Sequence, residues 1–316
     1  MKASFINTSH IEGLLYQHNL SLKVSGENSK NPGTQFINGT IDIATDDNVT
    51  NIVTVHFTYV TAKTKSGSDN ATFGTLSNII NGTLKSVMAD GVDVATKLRI
   101  DSQIGLNEFY SNRTGTDELV SVKRNEGGFI HITQALAESE ELRNTFKCDM
   151  LITGVRRVEA DPDRNIPEYG VIKGYFFDFR KALLPVELRT YNDKAITFYE
   201  NLEVSERTPA LALLWGRQMS QTVVNKIITE SAFGEPSVQE TTSTRREFVV
   251  TGGQEPYPWD DESTMTVQEY KTALADREVV LAGIRQRQAE YNASRVAEAT
   301  TSFGNTSTST VSGFNF

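Results

Sequence analysis

Aromatic rings and basic side chains are the residues of this chain whose types and spacing could do chemistry. The segment "VIKGYFFDFR" (171–180) places four aromatic residues in five positions and ends on an arginine. Because side chains alternate between the two faces of a strand, both faces would carry a ring. One register holds Lys173, Tyr175, Phe177 and Phe179, and the other holds Phe176 and Arg180. Whichever face is buried, the opposite one would present a ring and a cation, which suits the stacking of unpaired bases and the neutralisation of phosphates.

Other alternating segments combine rings and cations in the same way. Trp215 and Arg217 share one face of "LWGRQ", although Trp215 suits a buried position as well as an exposed one. Arg156 and Arg157 are adjacent, so only one of them can line a given surface. The predicted nucleic-acid-binding residues are His56, Tyr59, Arg99, Tyr110, Lys123, Arg124, Arg156, Arg157, Lys173, Tyr175, Phe176, Arg180, Arg189, Tyr191, Trp215 and Arg217.

Catalytic motifs are missing from the sequence. None of the four histidines lies in an H-E-x-x-H or H-x-E frame, and no phosphate-binding glycine loop of the Walker or dinucleotide type occurs. The single cysteine, Cys148, excludes both an internal disulfide and a zinc site built from cysteines. The sequence therefore predicts no catalytic residue, no metal and no cofactor, and a protein that is not an enzyme.

The formal net charge of the chain is −9. A negative net charge opposes binding to phosphates, but less so if the acidic residues are concentrated in one part of the chain. Residues 235–316 hold 7 Lys or Arg against 12 Asp or Glu, a net charge of −5, so the first 234 residues carry −4. That body is close enough to neutral to hold a basic groove. With no export signal and no long apolar run, we expect a cytoplasmic protein, in the host cell if phage-encoded, without a membrane partner.

The two halves of the sequence repeat one order of elements, which must position these side chains. In the first half, strands are predicted at 19–26, 37–45, 51–60, 96–105 and 118–132, with a helix at 72–91. In the second half, strands are predicted at 148–160, 170–180, 184–191, 210–224 and 245–253, with a short helix at 194–204. Five strands with a helix between the third and the fourth are typical of the OB-fold. The fold class predicted is therefore all-β (mainly β), with two tandem OB-like five-stranded barrels.

The domain boundaries follow from this repeat. The first OB-like barrel is expected over residues 1–140 and the second over 141–254. An acidic linker and a C-terminal helix follow over 255–300, in which 267–299 shows an imperfect apolar stripe that includes Tyr270 and Val279. Residues 301–316 are rich in Ser, Thr, Asn and Gly and are expected to form a flexible, disordered tail.

Several blocks resemble the tandem OB-fold single-stranded-DNA-binding proteins of bacteriophages. They are "VKRNEGGFIHI", "FKCDMLITGVRRVEADPD", "VIKGYFFDFRKALLPVELRTYNDKAITFYENLE" and "EFVVTGGQEPYPWDDES", and the resemblance covers most of residues 19–254. It implies non-catalytic coating of single-stranded DNA in DNA replication or recombination. Many such proteins recruit replication or recombination proteins through an acidic tail with a hydrophobic tip. This chain differs, because its tip "SGFNF" is not acidic and its acidic residues lie upstream in "PWDDE" (258–262).

Two other classes of protein fit the same sequence. A virion structural or assembly protein would share the low cysteine content and the abundance of Thr, Asn and Gly. A strand-annealing recombination protein could use the C-terminal helix for assembly. The sequence leaves open these alternatives, the preference for DNA or RNA, the number of nucleotides covered and the oligomeric state.

Overall fold

β-Strands form most of the regular structure of this chain. The computed structural model describes residues 4–27, 29–111, 118–161, 166–229, 233–234, 237–258 and 264–303. Within these ranges the strands are β1 (Asn7–Val24), β2 (Gln35–Ala44), β3 (Ile52–Thr61), β4 (Lys97–Ser111), β5 (Glu118–Ile132), β6 (Asn144–Val158), β7 (Tyr169–Phe177), β8 (Leu183–Thr190), β9 (Ala210–Thr229) and β10 (Ser237–Gly253). The helices are α1 (Ala71–Ile80), α2 (Val87–Asp90), α3 (Asp193–Glu200) and α4 (Val267–Phe303). The protein is mainly β with a long C-terminal helix, as the sequence predicts.

Strands β1 to β5 pair in a closed cycle, which together with α1 we call the first unit. β1 pairs antiparallel with both β2 and β4, β2 pairs with β3, and β4 pairs with β5. A short parallel pairing, Val55 with Asn125, joins β3 to β5 and completes the cycle. Alternating apolar side chains point inward, and Leu76 and Ile79 of α1 pack onto the same core.

Strands β6 to β10 repeat the cycle, and with α3 they form the second unit. β6 pairs with both β7 and β9, β7 pairs with β8, and β9 pairs with β10, all antiparallel. The parallel bridge is again between the third and fifth strands, where Val249 of β10 lies beside Arg189 of β8. Ile196 and Tyr199 of α3 are buried against this unit. The element order predicted for each half is therefore observed.

A glycine recurs at the same place in the second strand of each unit. Gly39 of β2 lies so close to β1 that a Cβ would fall 2.0 Å from the Asn19 carbonyl oxygen. Gly174 of β7 lies equally close to β6, where a Cβ would fall 1.9 Å from the Leu151 carbonyl oxygen. Because no other residue tolerates such an approach, these two glycines let each unit curl tightly enough to close.

The helix predicted over 72–91 is two helices. Asn70 caps the start of α1 by accepting a hydrogen bond from the Thr72 amide, and the helix ends at Ile80. Gly82 follows with a φ of +76°, a left-handed conformation that ends a helix readily. Helix α2 then starts after its cap Ser86 and ends before Gly91. The glycine that the single-helix prediction passed over is the reason for the break.

The two units are joined by strand pairing and by a buried polar network. Asn7 to Ile11 of β1 pair with Asn144 to Cys148 of β6, so one sheet runs through both units. At this joint the Asn125 amide nitrogen donates to Gln218 Oε1 at 2.8 Å, and Gln218 Nε2 donates to Ser9 Oγ at 2.7 Å. Because buried polar groups are costly to leave unpaired, this network fixes how the units are oriented.

Helix α4 covers the outer face of the second unit and reaches the first. Near its start, Tyr270 and Ala273 are buried in a cluster that also holds Phe177 of β7. Further along, Arg277 forms an ion pair with Glu108 of β4. The predicted apolar stripe is wrong at Val279, which is exposed. In the described part of the chain, no helix combines the length and the apolar character needed to cross a membrane.

Candidate nucleic-acid interface

Two clefts meet at Lys123, between the first and the second unit. The walls of the first cleft come from β3, β5, β9 and β10 and include His56, Arg124, Asn125, Arg246, Glu247 and Phe248. The walls of the second cleft come from β5, β7 and β8 and include Ser121, Lys173, Tyr175, Pro185 and Glu187. Lys123 lines both clefts. We call the combined surface the junction trough.

Lys123 is a first-unit residue held by the second unit. Its Nζ donates a hydrogen bond to the Glu187 carbonyl oxygen and lies 5.9 Å from the centre of the Phe248 ring. Burial lowers the pKa of the Lys123 ammonium, the Glu187 carboxylate opposes this effect, and Arg189 adds to it. A partly desolvated ammonium between two clefts interacts more strongly with a phosphate than one in open water.

The pKa of His56 depends on the charged residues around the first cleft. It lies on β3 opposite Glu126 of the parallel strand β5. Burial lowers the pKa of His56, and nearby Arg124 and Arg246 lower it further, whereas Glu126 and Asp42 act in the opposite sense. Burial is thus the main cause of the lowered pKa, and the two guanidinium groups beside the ring are charges that an anion bound there would contact.

Two tyrosines and an arginine continue the surface along the second unit. The Tyr191 hydroxyl donates to Glu247 Oε2 at 2.7 Å, and Glu247 also lines the first cleft. Arg189 pairs with Glu247 at 2.9 Å, and its guanidinium lies 4.4 Å from the centre of the Tyr169 ring. The Tyr169 and Tyr191 rings are 5.9 Å apart. These contacts hold ring and cation in fixed positions beside the trough.

Carboxylates already neutralise most of the predicted cations. The pairs are Arg99 with Asp101 at 3.5 Å, Arg124 with Glu126 at 2.6 Å, Arg157 with Glu200 at 3.0 Å and with Glu168, Lys173 with Glu206 at 3.4 Å, Arg189 with Glu247 at 2.9 Å, and Arg217 with Glu141 at 2.8 Å. Among the described residues, Lys123 and Arg246 are the trough cations that form no ion pair. A phosphate bound here would therefore contact two cations without displacing a carboxylate from an ion pair.

The structure brings seven of the predicted residues to the trough or to its border. They are His56, Lys123, Arg124, Lys173, Tyr175, Arg189 and Tyr191. The others lie elsewhere. Tyr59 pairs with Phe36, their ring centres 4.5 Å apart, near the ends of β2 and β3. Arg99 is exposed on β4, Arg156 and Arg157 are exposed near the end of β6, and Arg180 lies in the turn after β7.

Two predicted contact residues are buried, so these predictions are wrong. Phe176 is fully buried in the core of the second unit. The neighbouring Phe177 is buried as well, because Phe5 stacks on it with ring centres 3.7 Å apart and α4 packs nearby. Tyr110 is covered by α4, where Arg285 lies 4.6 Å from the centre of its ring. Both faces of β7 are thus largely covered, although Tyr169 and Tyr175 stay half-buried and Lys173 is exposed.

Sequence reasoning missed Arg246 and Tyr169. Arg246 belongs to "RREFVV", in which two cations precede an apolar strand, and that combination is the signal that could have identified it. Tyr169 is the first residue of β7, and its ring lies 5.9 Å from that of Tyr191, which directly follows β8. No group of three or more potential metal ligands occurs among the described residues.

The fold and the trough define a mainly β protein whose two units share one candidate binding surface. The chain belongs to the YorF family, because the YorF family model matches residues 6–287. No curated protein matches the sequence.

Two solved structures are similar in outline. They are crystal structures of the single-stranded DNA binding protein from Thermus aquaticus, one of the wild-type protein and one of a deletion mutant. Each is 8% identical to this chain with a TM-score of 0.46 and covers 83% of it, and the match spans 98% of the wild-type chain and 100% of the mutant chain.

Proposed function

We propose that this protein binds single-stranded DNA through two tandem OB-like barrels, residues 1–140 and 141–254. Each closed cycle of strands has the order first-second-third-fifth-fourth, with a helix between the third and fourth strands. That order and helix position are those expected of a five-stranded Greek-key barrel of the OB type. Coating of single strands in phage DNA replication or recombination is the role that suits such a protein.

The observation that carries the proposal is the junction trough. Lys123 from the first unit lines two clefts whose other walls carry rings and cations of both units. Tyr175 lies in one cleft and His56 in the other, so two rings flank a central ammonium. Unpaired bases stack on such rings with little regard for sequence, and the ammonium neutralises the phosphate between them.

The paired arginines set the expected strength of binding. Each counterion-releasing phosphate contact contributes about −0.7 to the slope of log K against log salt for a single strand. Because Lys123 and Arg246 are the trough cations that form no ion pair with any described residue, we expect a shallow slope of about −1.4 rather than a steep one. Arg124 and Arg189 would contribute mainly by orientation, since each must leave or share its carboxylate partner.

Fluorescence anisotropy of a labelled oligo-dT, measured from about 50 to about 200 mM salt, tests the proposal. Lys123→Gln and Arg246→Ala should each weaken binding and reduce the salt slope by about 0.7. Lys194→Ala is the matched control, because Lys194 is exposed on α3 and lines neither cleft. A duplex of the same length should bind far more weakly.

The same experiment separates the rival functions. A virion structural or assembly protein would leave the anisotropy unchanged at every salt concentration, which would refute the proposal. A strand-annealing protein would bind the oligonucleotide and also accelerate pairing of two complementary strands. Recruitment of replication or recombination proteins would depend on the acidic residues of 258–262, all of which lie outside the described residues.

A further inference from the structure

A second surface with a ring and cations lies on β6 and β9, away from Lys123. Lys147 of β6 is directly opposite Trp215 of β9, and Thr145 is opposite Arg217 two residues further on. These four residues line a shallow depression together with Glu141, Leu142 and Thr251. We call it the Trp215 shelf. None of its lining residues lines the junction trough.

The position of the Trp215 ring is set by an irregularity in β10. The pairing of β9 with β10 shifts register between Val250 and Gly252, which places Gly252 opposite Trp215. A Cβ on Gly252 would fall 2.4 Å from the indole Nε1, so the ring packs against bare backbone. Bulges of this kind commonly re-aim a side chain. Trp215 nevertheless keeps 39% of its surface exposed, which is unusual for so large an apolar side chain.

The cations around the ring suit an anionic ligand. Lys147 is exposed and forms no ion pair within the described part of the chain. Arg217 is held by Glu141 at 2.8 Å, which fixes its position on the same face as the ring. The surface therefore combines an exposed indole, an ammonium without an ion pair among the described residues and a guanidinium held in place by a carboxylate. Such a surface suits a ligand with a planar group and a negative charge close to it. A nucleotide unit has both features.

The geometry points to the Trp215 shelf as a second binding site for the same single-stranded DNA, separate from the junction trough. A base stacks on the indole and the adjoining phosphate lies by Lys147. The inference rests on the proposed function and adds to it, because one strand then contacts the protein at two places.

Acidic side chains separate the two sites. A cleft between them shares Gln218 and Met219 with the trough and Glu141 and Arg217 with the shelf. Its walls also carry Asp46 and Glu140. These carboxylates repel phosphates, so a strand that reaches both sites crosses the intervening cleft without being held there. Short oligonucleotides would therefore occupy one site, and only longer ones would occupy both.

Tryptophan fluorescence tests this inference directly. The chain contains two tryptophans, so Trp259→Phe leaves Trp215 as the single reporter. This variant is titrated with oligo-dT of increasing length, and the anisotropy of a labelled oligonucleotide measures total binding in parallel. We expect quenching of Trp215 to rise with length, and Lys147→Ala to weaken the quenching without affecting the anisotropy of the shortest oligonucleotide that binds the trough.

Substitutions of Trp215 supply the second arm. Loss of one stacked base should weaken binding of long oligonucleotides by roughly 5- to 150-fold in Trp215→Leu, whereas Trp215→Phe should keep most of the affinity. Thermal unfolding of both variants verifies that they are folded. Binding seen by anisotropy with no change in Trp215 emission at any length would overturn the shelf and leave the proposed function standing. No binding by either readout would overturn both.

Discussion

The ion pair between Arg277 of α4 and Glu108 of β4 offers a sharp test of how the helix is attached. Both side chains are more than nine-tenths buried, with 8% and 7% of their surfaces exposed. Arg277 Nη1 donates to Glu108 Oε2 at 2.7 Å, and Nη2 donates to Oε1, so the contact is bidentate. Ser121 Oγ also donates to Glu108 Oε1 at 2.8 Å.

Arg277→Met should destabilise the protein because it leaves the Glu108 carboxylate buried without its cationic partner, with the Ser121 hydroxyl still donating to it. Breaking a buried pair in this way lowers the free energy of unfolding by about 3–5 kcal/mol. Because the Ser121 hydrogen bond remains, we expect a loss of about 3 kcal/mol. The double variant Glu108→Gln with Arg277→Met removes both charges and keeps the shape, so it should lie within about 1 kcal/mol of the parent. The implied coupling energy is about 2 kcal/mol or more.

Urea denaturation measures this cycle, with the midpoint and the slope recorded for each of the four proteins. A slope of about 2–3 kcal/mol/M would convert the loss in Arg277→Met to a midpoint shift of roughly 1 M. Lys63→Met is the matched control, because its partner Asp69 is an exposed residue of the first unit. If Arg277→Met unfolds at the same urea concentration as Lys63→Met, or if the double variant is as unstable as the single one, the Arg277–Glu108 pair does not hold α4 in the way described.

Three further predictions concern single positions. Because the pKa of His56 is lowered in the folded protein, the unfolded chain binds more protons between the folded-state pKa and 6.5. The free energy of unfolding should therefore fall as the pH drops through this window, and His56→Gln should reduce this pH dependence. A bound phosphate should raise the His56 pKa, and an NMR titration that finds no rise at saturating oligo-dT would contradict its place in the site. Gly174→Ala should lower the free energy of unfolding in urea by about 1–3 kcal/mol or more, because the new Cβ would clash with the Leu151 carbonyl oxygen. Gly154→Ala is the control, because nothing lies near its Cβ. Equal losses in the two variants would argue against the close approach of β7 to β6 at Gly174. Gly283→Ala should stabilise α4 by about 0.4–1 kcal/mol, since nothing lies near its Cβ, and a lower thermal midpoint would show that the helix is not continuous there.

Local patterns in the sequence were sufficient to predict the strands and their order. Alternation of apolar residues identified all ten strands, and the recurrence of Gly39 and Gly174 marked the second strand of each unit. Their ends were harder to predict. β9 extends to Thr229, whereas the apolar pattern predicts that it ends at residue 224. β10 starts at Ser237, whereas the apolar pattern predicts a start at residue 245. Strand pairing alone extends this hairpin, and pairing is not visible in one strand's composition.

Strand alternation in the sequence indicates which side chains point away from the cores of the two units, but not which distant segments then surround them. His56 and Lys123 reach the trough because strand alternation places them on the outside. Phe176 was wrong because its face of β7 packs into the core of the second unit, whereas Phe5 and α4 cover Phe177 on the opposite face. Tyr110 was wrong because α4, far away in sequence, covers it. The ion pairs of Arg189 and Arg217 also join distant segments, so the sequence could not show that these cations are already neutralised.

The contact between α4 and the far end of β4 has a consequence for biosynthesis. Arg277 follows Glu108 by 169 residues, and Gln288 follows Tyr110 by 178. At about 5–20 residues per second, a ribosome needs roughly ten to thirty seconds to deliver the helix after that strand has emerged. During this interval the nascent chain holds an unmatched carboxylate and an uncovered tyrosine, so chaperones and proteases would meet the β4–β5 hairpin before its last partner is made.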